Sequence, residues 1–220
     1  KILNYLRNLA NIIHKTLFFK KILFKVSGRR KKKVMHGPVT NQITEKRSAS
    51  GDRALANFCA SATTMIATVP ETDIPRRITG ILPSLLAEPF LLLEAEALCT
   101  HQGYARNPVF ICPKGKFSIF SMVWPAGAET PIHDHRSWCA MGVYEGKVEE
   151  SFFIESSSGE VILERTKTFE EGACSALPWG RPNIHKISNR TTQRAISIHI
   201  YGGNCIEEGP NLRQLYELST

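Results

Sequence analysis

The chain has 220 residues, 42% hydrophobic and 22% charged, the balance of one ordinary globular domain with an added segment. That composition excludes a collagen, a mucin-like stalk and a wholly disordered protein. Glu88 interrupts the most apolar region, Leu85 to Leu93, so no run of about 18 uninterrupted apolar residues exists and no membrane-spanning helix is expected.

The formal charge of +8 is unevenly placed. Residues 1–33 hold 11 Lys/Arg and no Asp or Glu, which leaves 17 basic against 20 acidic side chains in the rest of the chain. The basicity belongs to a leader, and without a basic patch on the body no nucleic-acid partner is expected. Cys59, Cys99, Cys112, Cys139, Cys174 and Cys205 are widely spaced with no C-x-x-C pair. This suits a reducing compartment better than a disulfide scaffold, and a cytoplasmic location is expected.

In the leader, residues 1–34, Ile2, Leu6, Leu9, Ile13 and Leu17 recur at helical steps, and Arg29-Arg30-Lys31-Lys32-Lys33 ends the stripe. The pattern is a basic amphipathic helix. It reads as sequence upstream of a start at Met35. The alternatives are an organelle transit peptide and a membrane-surface anchor, so membrane contact or organelle import follows only if the leader is native. Residues 35–53 read as a linker. From Asp52, a natural N-cap, Leu55, Phe58, Ala62, Ile66 and Val69 predict a helix that stops at Pro70, and helical material from Ile81 to Leu98 completes a small layer over 54–102.

After Tyr104 the texture changes to short β-rich runs: Phe117 to Trp124, Gly142 to Tyr144, Val148 to Ile154, Val161 to Thr166 and Ala195 to Tyr201. Short strands separated by Gly, Pro and Ser predict a mainly β sandwich or barrel over 103–208, followed by a C-terminal tail over 209–220. A monomer is expected.

His133-Asp134-His135 opens one predicted strand. Residues two apart in a strand share a face, so both imidazoles can reach one metal while Asp134 points away. His185, in a turn-and-strand segment, supplies a third nitrogen, and three such donors suit Zn, Fe, Ni or Cu. Ser197-Ile198-His199-Ile200-Tyr201 places Ser197, His199 and Tyr201 on one face and the isoleucines on the other. Taken alone, that stretch also fits a half-exposed antiparallel strand.

The spacing sharpens the picture. Gly127, five residues, His133-x-His135 and then Gly146 matches the first cupin motif; Gly172, five residues, Pro178-x-Gly180, four residues, His185, three residues, Asn189 resembles the second with a two-residue insertion. The resemblance implies a cupin double-stranded β-helix, a jelly-roll barrel with a small N-terminal helical layer. Cupins place a carboxylate shortly after H-x-H as a fourth ligand; here Cys139 stands there and His135 to Ala140 contains no acid. The site is therefore expected to be a three-His centre with open positions, as catalysis requires.

These departures resemble the thiol dioxygenases, the cysteine dioxygenase family, over roughly residues 100–205. The resemblance implies Fe(II) on His133, His135 and His185, with the substrate thiolate and O2 at the open positions. It also implies a Ser197–His199–Tyr201 relay near the metal and a Cys139–Tyr201 thioether crosslink. Tyr104-Ala105-Arg106-Asn107 is similar to the stretch that binds the substrate carboxylate, for which an Arg fork is suited. Alone, Arg106 also fits a surface position and Cys139 an inert buried thiol.

The expected reaction is oxidation of a small thiol carboxylate to its sulfinic acid, with L-cysteine going to cysteine sulfinate. Arg106 points to cysteine, because a Gln tends to replace it in 3-mercaptopropionate dioxygenases, whereas Trp138 and Tyr201-Gly202-Gly203-Asn204 look more like that second branch. A non-catalytic metal-binding cupin is the alternative from another class. A zinc or nickel sugar isomerase is a further one, although those usually keep the acidic ligand absent here.

Overall fold

The computed structural model describes residues 47–100, 103–157, 159–178, 183–207 and 211–218. The expected leader, most of the linker and Gly180 lie outside them. Two five-stranded antiparallel sheets make up the body. The first runs β1 (Ala105–Ile111), β2 (Phe117–Trp124), β9 (Ala195–Gly202), β4 (Cys139–Glu145), β7 (Cys174–Leu177). The second runs β10 (Leu212–Tyr216), β3 (Ile132–His135), β8 (Ile184–Ser188), β5 (Lys147–Glu155), β6 (Val161–Glu170). Strand β2 has the expected ends, whereas β4 and β6 run longer than their apolar cores. Leu212–Tyr216 lie in the stretch expected as a tail and pair with β3 instead. Five residues, mostly exposed, carry too little alternation to be read as a strand.

Two helices precede the sheets. Helix α1 (Ala49–Thr68) starts inside the expected linker, because the Ser48 hydroxyl accepts the Gly51 N–H at 2.9 Å and caps it. Asp52, expected as the cap, sits in the first turn, where a carboxylate still favours the positive helix end. Helix α2 (Ile74–Leu86) begins earlier than the expected Ile81, since Pro75 in its first turn fits a helix start. It ends before Pro89, so 87–98 is not helical, apart from a short 3-10 turn at Glu94–Glu96. Among the described residues no helix is long and apolar enough to cross a membrane.

Both faces of β2 and β9 are buried. Ile119 and Val123 with Ile196, Ile198 and Ile200 face the helices and join Ile78, Leu82 and Leu85 in one apolar cluster. The opposite face carries Met122 and Trp124 against Val148, Phe169 and Ile187 of the second sheet. The helices thus close the outside of the first sheet and leave its inner face to a site between the sheets. Helix α2 comes close because β4 offers Gly142, where a Cβ would lie 2.6 Å from Leu86 Cδ1 and 2.9 Å from Leu82 Cδ2.

Two turn features behind the glycine motifs have physical reasons. Gly127 and Gly172 adopt φ of 78° and 80°, which favour glycine. Asn189, fully buried, donates from Nδ2 to the Trp124 carbonyl at 2.9 Å and the Gln193 carbonyl at 2.7 Å, tying the ends of β2 and β8 together.

Leu82 has no exposed surface, and its replacement by Ala leaves a cavity between α2 and β4. Urea unfolding of Leu82→Ala should show a loss of about 2–5 kcal/mol. A loss below about 1 kcal/mol would contradict tight docking of this helix.

Candidate metal centre

The ligand strand is short and buried. Along β3, His133 and His135 face the space between the sheets, and His133 pairs directly across from His185 on β8. The three rings offer nitrogens within 4.8 Å of one another. Nε2 of His135 and Nε2 of His185 are 2.9 Å apart, close to the separation of two adjacent nitrogens each about 2.1 Å from one ion.

The outward nitrogens are all engaged. Nδ1 of His133 donates to the Pro131 carbonyl at 2.9 Å, Nδ1 of His135 to the Asn211 carbonyl at 2.8 Å, and Nδ1 of His185 to Glu150 Oε1 at 2.8 Å. Carbonyl and carboxylate oxygens only accept, so the proton resides on each Nδ1 and each Nε2 keeps its lone pair for the interior. Burial, reinforced by the neighbouring His185, pushes His133 down to about 3 and holds His135 well below its ordinary value. His133 and His135 are therefore neutral at physiological pH, as metal ligands must be.

Asp134 points to the other side, as alternation requires, and its Oδ2 accepts from Arg213 and from the Tyr216 hydroxyl. Glu150 is a buried carboxylate beside the three histidines, yet it stands behind His185 and not toward the space between the three rings. Sequence reading missed it because it searched the run after H-x-H. The available signal was an acid at the inward phase of β5, with Val148 and Phe152. Asn211 was missed with β10.

A cavity of roughly 50 Å³ lies over the three nitrogens, and Tyr104, Arg106, Trp124, His199 and Tyr201 help to line it. Arg106 lays its guanidinium over the Phe120 ring at 3.5 Å, a favourable cation–π contact. Its Nη2 is buried with no hydrogen-bond partner among the described residues. Tyr104 stacks on Trp124 with centroids 5.0 Å apart.

The relay residues share the inner face of β9. Trp124 Nε1 donates to Ser197 Oγ at 2.8 Å, Ser197 Oγ lies 2.8 Å from His199 Nε2, and His199 Nδ1 lies 3.1 Å from the Tyr201 hydroxyl. Burial pushes His199 down to about 3 and Tyr201 well above its usual value, so the ring is neutral and the phenol stays protonated. Trp124 is the partner that sequence reading did not assign. Cys139 sits directly opposite Tyr201 in the β4–β9 register, buried and hydrogen-bonded to it, and burial raises its thiol pKa strongly.

A family model described as cysteine dioxygenase type I matches residues 95–205. The chain belongs to that family. All three histidines, Arg106 and the β9 relay of this cysteine dioxygenase family member fall inside the matched segment, whereas Asn211 and β10 fall beyond it.

Solved structures similar to the chain include a Silicibacter pomeroyi sugar phosphate isomerase from a cupin superfamily (24% identity, TM-score 0.32, 40% of this chain and 50% of that one). The Schizosaccharomyces pombe Cnp3 cupin domain is similar at 17% identity and TM-score 0.38, over 51% of this chain and 73% of that one. An uncharacterized Klebsiella pneumoniae protein with a double-stranded β-helix domain is similar at 12% identity and TM-score 0.40, over 56% and 92%.

Acid should expose the cost of burying neutral imidazoles. His133, His135 and His199 have native values below their unfolded ones, so the unfolded chain binds protons first and stability falls as pH drops below about 6.5. For His133 and His199 the window extends to about 3. Urea unfolding of the metal-free protein between about pH 7 and pH 4 should show a slope near 1.4 kcal/mol per pH unit for each such histidine. A flat profile would contradict the assignment of neutral buried rings.

Proposed function

We propose that this chain is an iron-dependent thiol dioxygenase that oxidises L-cysteine with O2 to cysteine sulfinate. The observation that carries it is Nη2 of Arg106, unpartnered among the described residues and buried in the wall of the cavity that the three histidines share. An unsatisfied buried cation donor is costly unless an anion completes it. A substrate carboxylate does so with two parallel charge-assisted hydrogen bonds.

Three neutral nitrogens with no carboxylate among them fit ferrous iron as well as other divalent metals, and family membership favours iron. Ferrous iron held by His133, His135 and His185 would supply open coordination positions, a lowered thiol pKa and the electrons for dioxygen chemistry. The protein's own residues do the rest. Arg106, steadied by Phe120, orients the carboxylate. The small cavity admits a thiol acid of a few non-hydrogen atoms and excludes bulk water.

Trp124 sets the direction of the relay. An indole N–H only donates, so Ser197 accepts it, and its own hydroxyl proton goes to its other partner among the described residues, His199 Nε2. His199 then carries its proton on Nδ1 and donates to the Tyr201 oxygen. The Tyr201 hydroxyl proton is thereby turned away from His199, toward the Cys139 sulfur beside it or toward a bound substrate. Cys139, opposite Tyr201, supports a thioether to the tyrosine ring, formed by an oxidation in which O2 takes the two hydrogens lost.

One observation favours a second substrate, 3-mercaptopropionate: among the described residues lining the cavity there is no carboxylate to meet an ammonium group. Against it, Trp138 does not line the cavity but packs on Gly202, whose added Cβ would fall 2.7 Å from the indole nitrogen. Trp138 and Gly202, two of the features that resembled the mercaptopropionate branch, therefore contact each other and not the substrate space, whereas Tyr201 lines the cavity.

Initial rates with L-cysteine, 3-mercaptopropionate and cysteamine, which lacks the carboxylate, test the assignment. The Fe(II)-loaded protein should prefer cysteine. Arg106→Gln should lower kcat/KM for cysteine on the order of 100-fold, the loss of two charge-assisted hydrogen bonds of about 1.5 kcal/mol each. Cysteamine should change by less than about threefold. An equal loss with cysteamine would show that Arg106 does not bind the carboxylate.

A further inference from the structure

We infer that β10, beyond the residues that define the family match, is a positioning element of the metal centre; this rests on the three-histidine reading of the site. The strand lies against the ligand strand along its whole length: Leu212 pairs with His135, Gln214 with Asp134, Leu215 with His133 and Tyr216 with Ile132. Just ahead of it, the Asn211 carbonyl accepts the His135 Nδ1 proton at 2.8 Å. Asn211 and Leu212 also line the cavity. A segment outside the matched residues thus fixes the tautomer of one ligand and walls the site that the other ligands face.

The second grip is on Asp134. This carboxylate is only 1% exposed and sits between the two ligands on the opposite face of the strand. Arg213 Nε donates to its Oδ2 at 2.8 Å, Nη2 of the same fork also reaches Oδ2, and the Tyr216 hydroxyl donates at 3.0 Å. Its Oδ1 has no hydrogen-bond partner among the described residues, so these two side chains carry its compensation. Successive residues of a strand point to opposite faces. Holding Asp134 outward therefore fixes the rotation of β3 about its own axis, and that rotation aims His133 and His135 inward. Second partners of this kind govern how well a ligand set holds its ion.

The test is Co(II) affinity by competition with a chelator, together with the visible Co(II) ligand-field spectrum, on the full chain. The wild type should bind one Co(II); failure to do so overturns the three-histidine reading itself. Given that binding, Arg213→Met combined with Tyr216→Phe should weaken Co(II) affinity by about 10- to 100-fold and alter the spectrum. Arg213→Lys should recover part of the affinity. Leu82→Ala, destabilising but remote from β3, should leave affinity and spectrum unchanged. Where the double variant fails to fold, Tyr216→Phe alone decides, with about a threefold loss expected. Unchanged affinity and spectrum in the variants, with wild-type binding intact, would overturn the role of β10 and leave the metal site standing.

Discussion

An imidazole offers a metal only one nitrogen at a time, and the hydrogen bond made by the other nitrogen decides which one is free. In this protein three acceptors from three different places, the Pro131 carbonyl, the Asn211 carbonyl and Glu150, take the outward protons of His133, His135 and His185. The proposed metal site depends on those bonds. Reversing one of them would point an N–H into the centre in place of a lone pair. Burial alone makes His133 and His135 neutral but would not choose their tautomer. The fold supplies the choice by threading β3 between β8 and β10, so that each neighbouring strand brings an acceptor or a ligand to the same short segment.

The rest of the cavity follows the same logic of donors with a single assigned direction. Trp124, a donor only, stands at one end of the β9 relay, and Tyr201, nearest the histidines, stands at the other with centroids 5.5 Å from His135. Arg106, also a donor only, enters from β1 and finds a ring beneath it but, among the described residues, no oxygen at Nη2. A cavity so arranged brings the three histidines and the Arg106 guanidinium to one small volume. The helical layer contributes from the outside. By burying the isoleucines of β9, it leaves Ser197, His199 and Tyr201 all facing inward.

Much of this was legible because period two governs it. The H-x-H pair and the Ser-x-His-x-Tyr run each declare a face within a few residues, and Ile198 and Ile200 confirm the phase of the second. The positions of Gly127 and Gly172 were legible for a similar reason, since a turn needing positive φ marks itself with glycine. What could not be read locally were the partners at long range. Glu150 is 35 residues from His185 and Asn211 is 76 from His135, and no local pattern ties a histidine to an acceptor that far away. The C-terminal strand escaped notice because its side chains are mixed and mostly exposed, and it is held by pairing with β3 and by Asp134 more than by apolar burial. At the start of α1, Ser48 and Asp52 both suit a cap, and only the hydroxyl bond to Gly51 decides between them.

The most direct test of the account is the reaction of the anaerobically Fe(II)-loaded protein with L-cysteine under oxygen-18 gas, followed by mass spectrometry of the product. Cysteine sulfinate carrying label at both of its sulfinate oxygens, formed only with iron present, is the predicted result. Cystine without labelled sulfinate, or no oxygen consumption despite bound iron, would contradict it and would leave the three histidines as a metal site without dioxygenase chemistry.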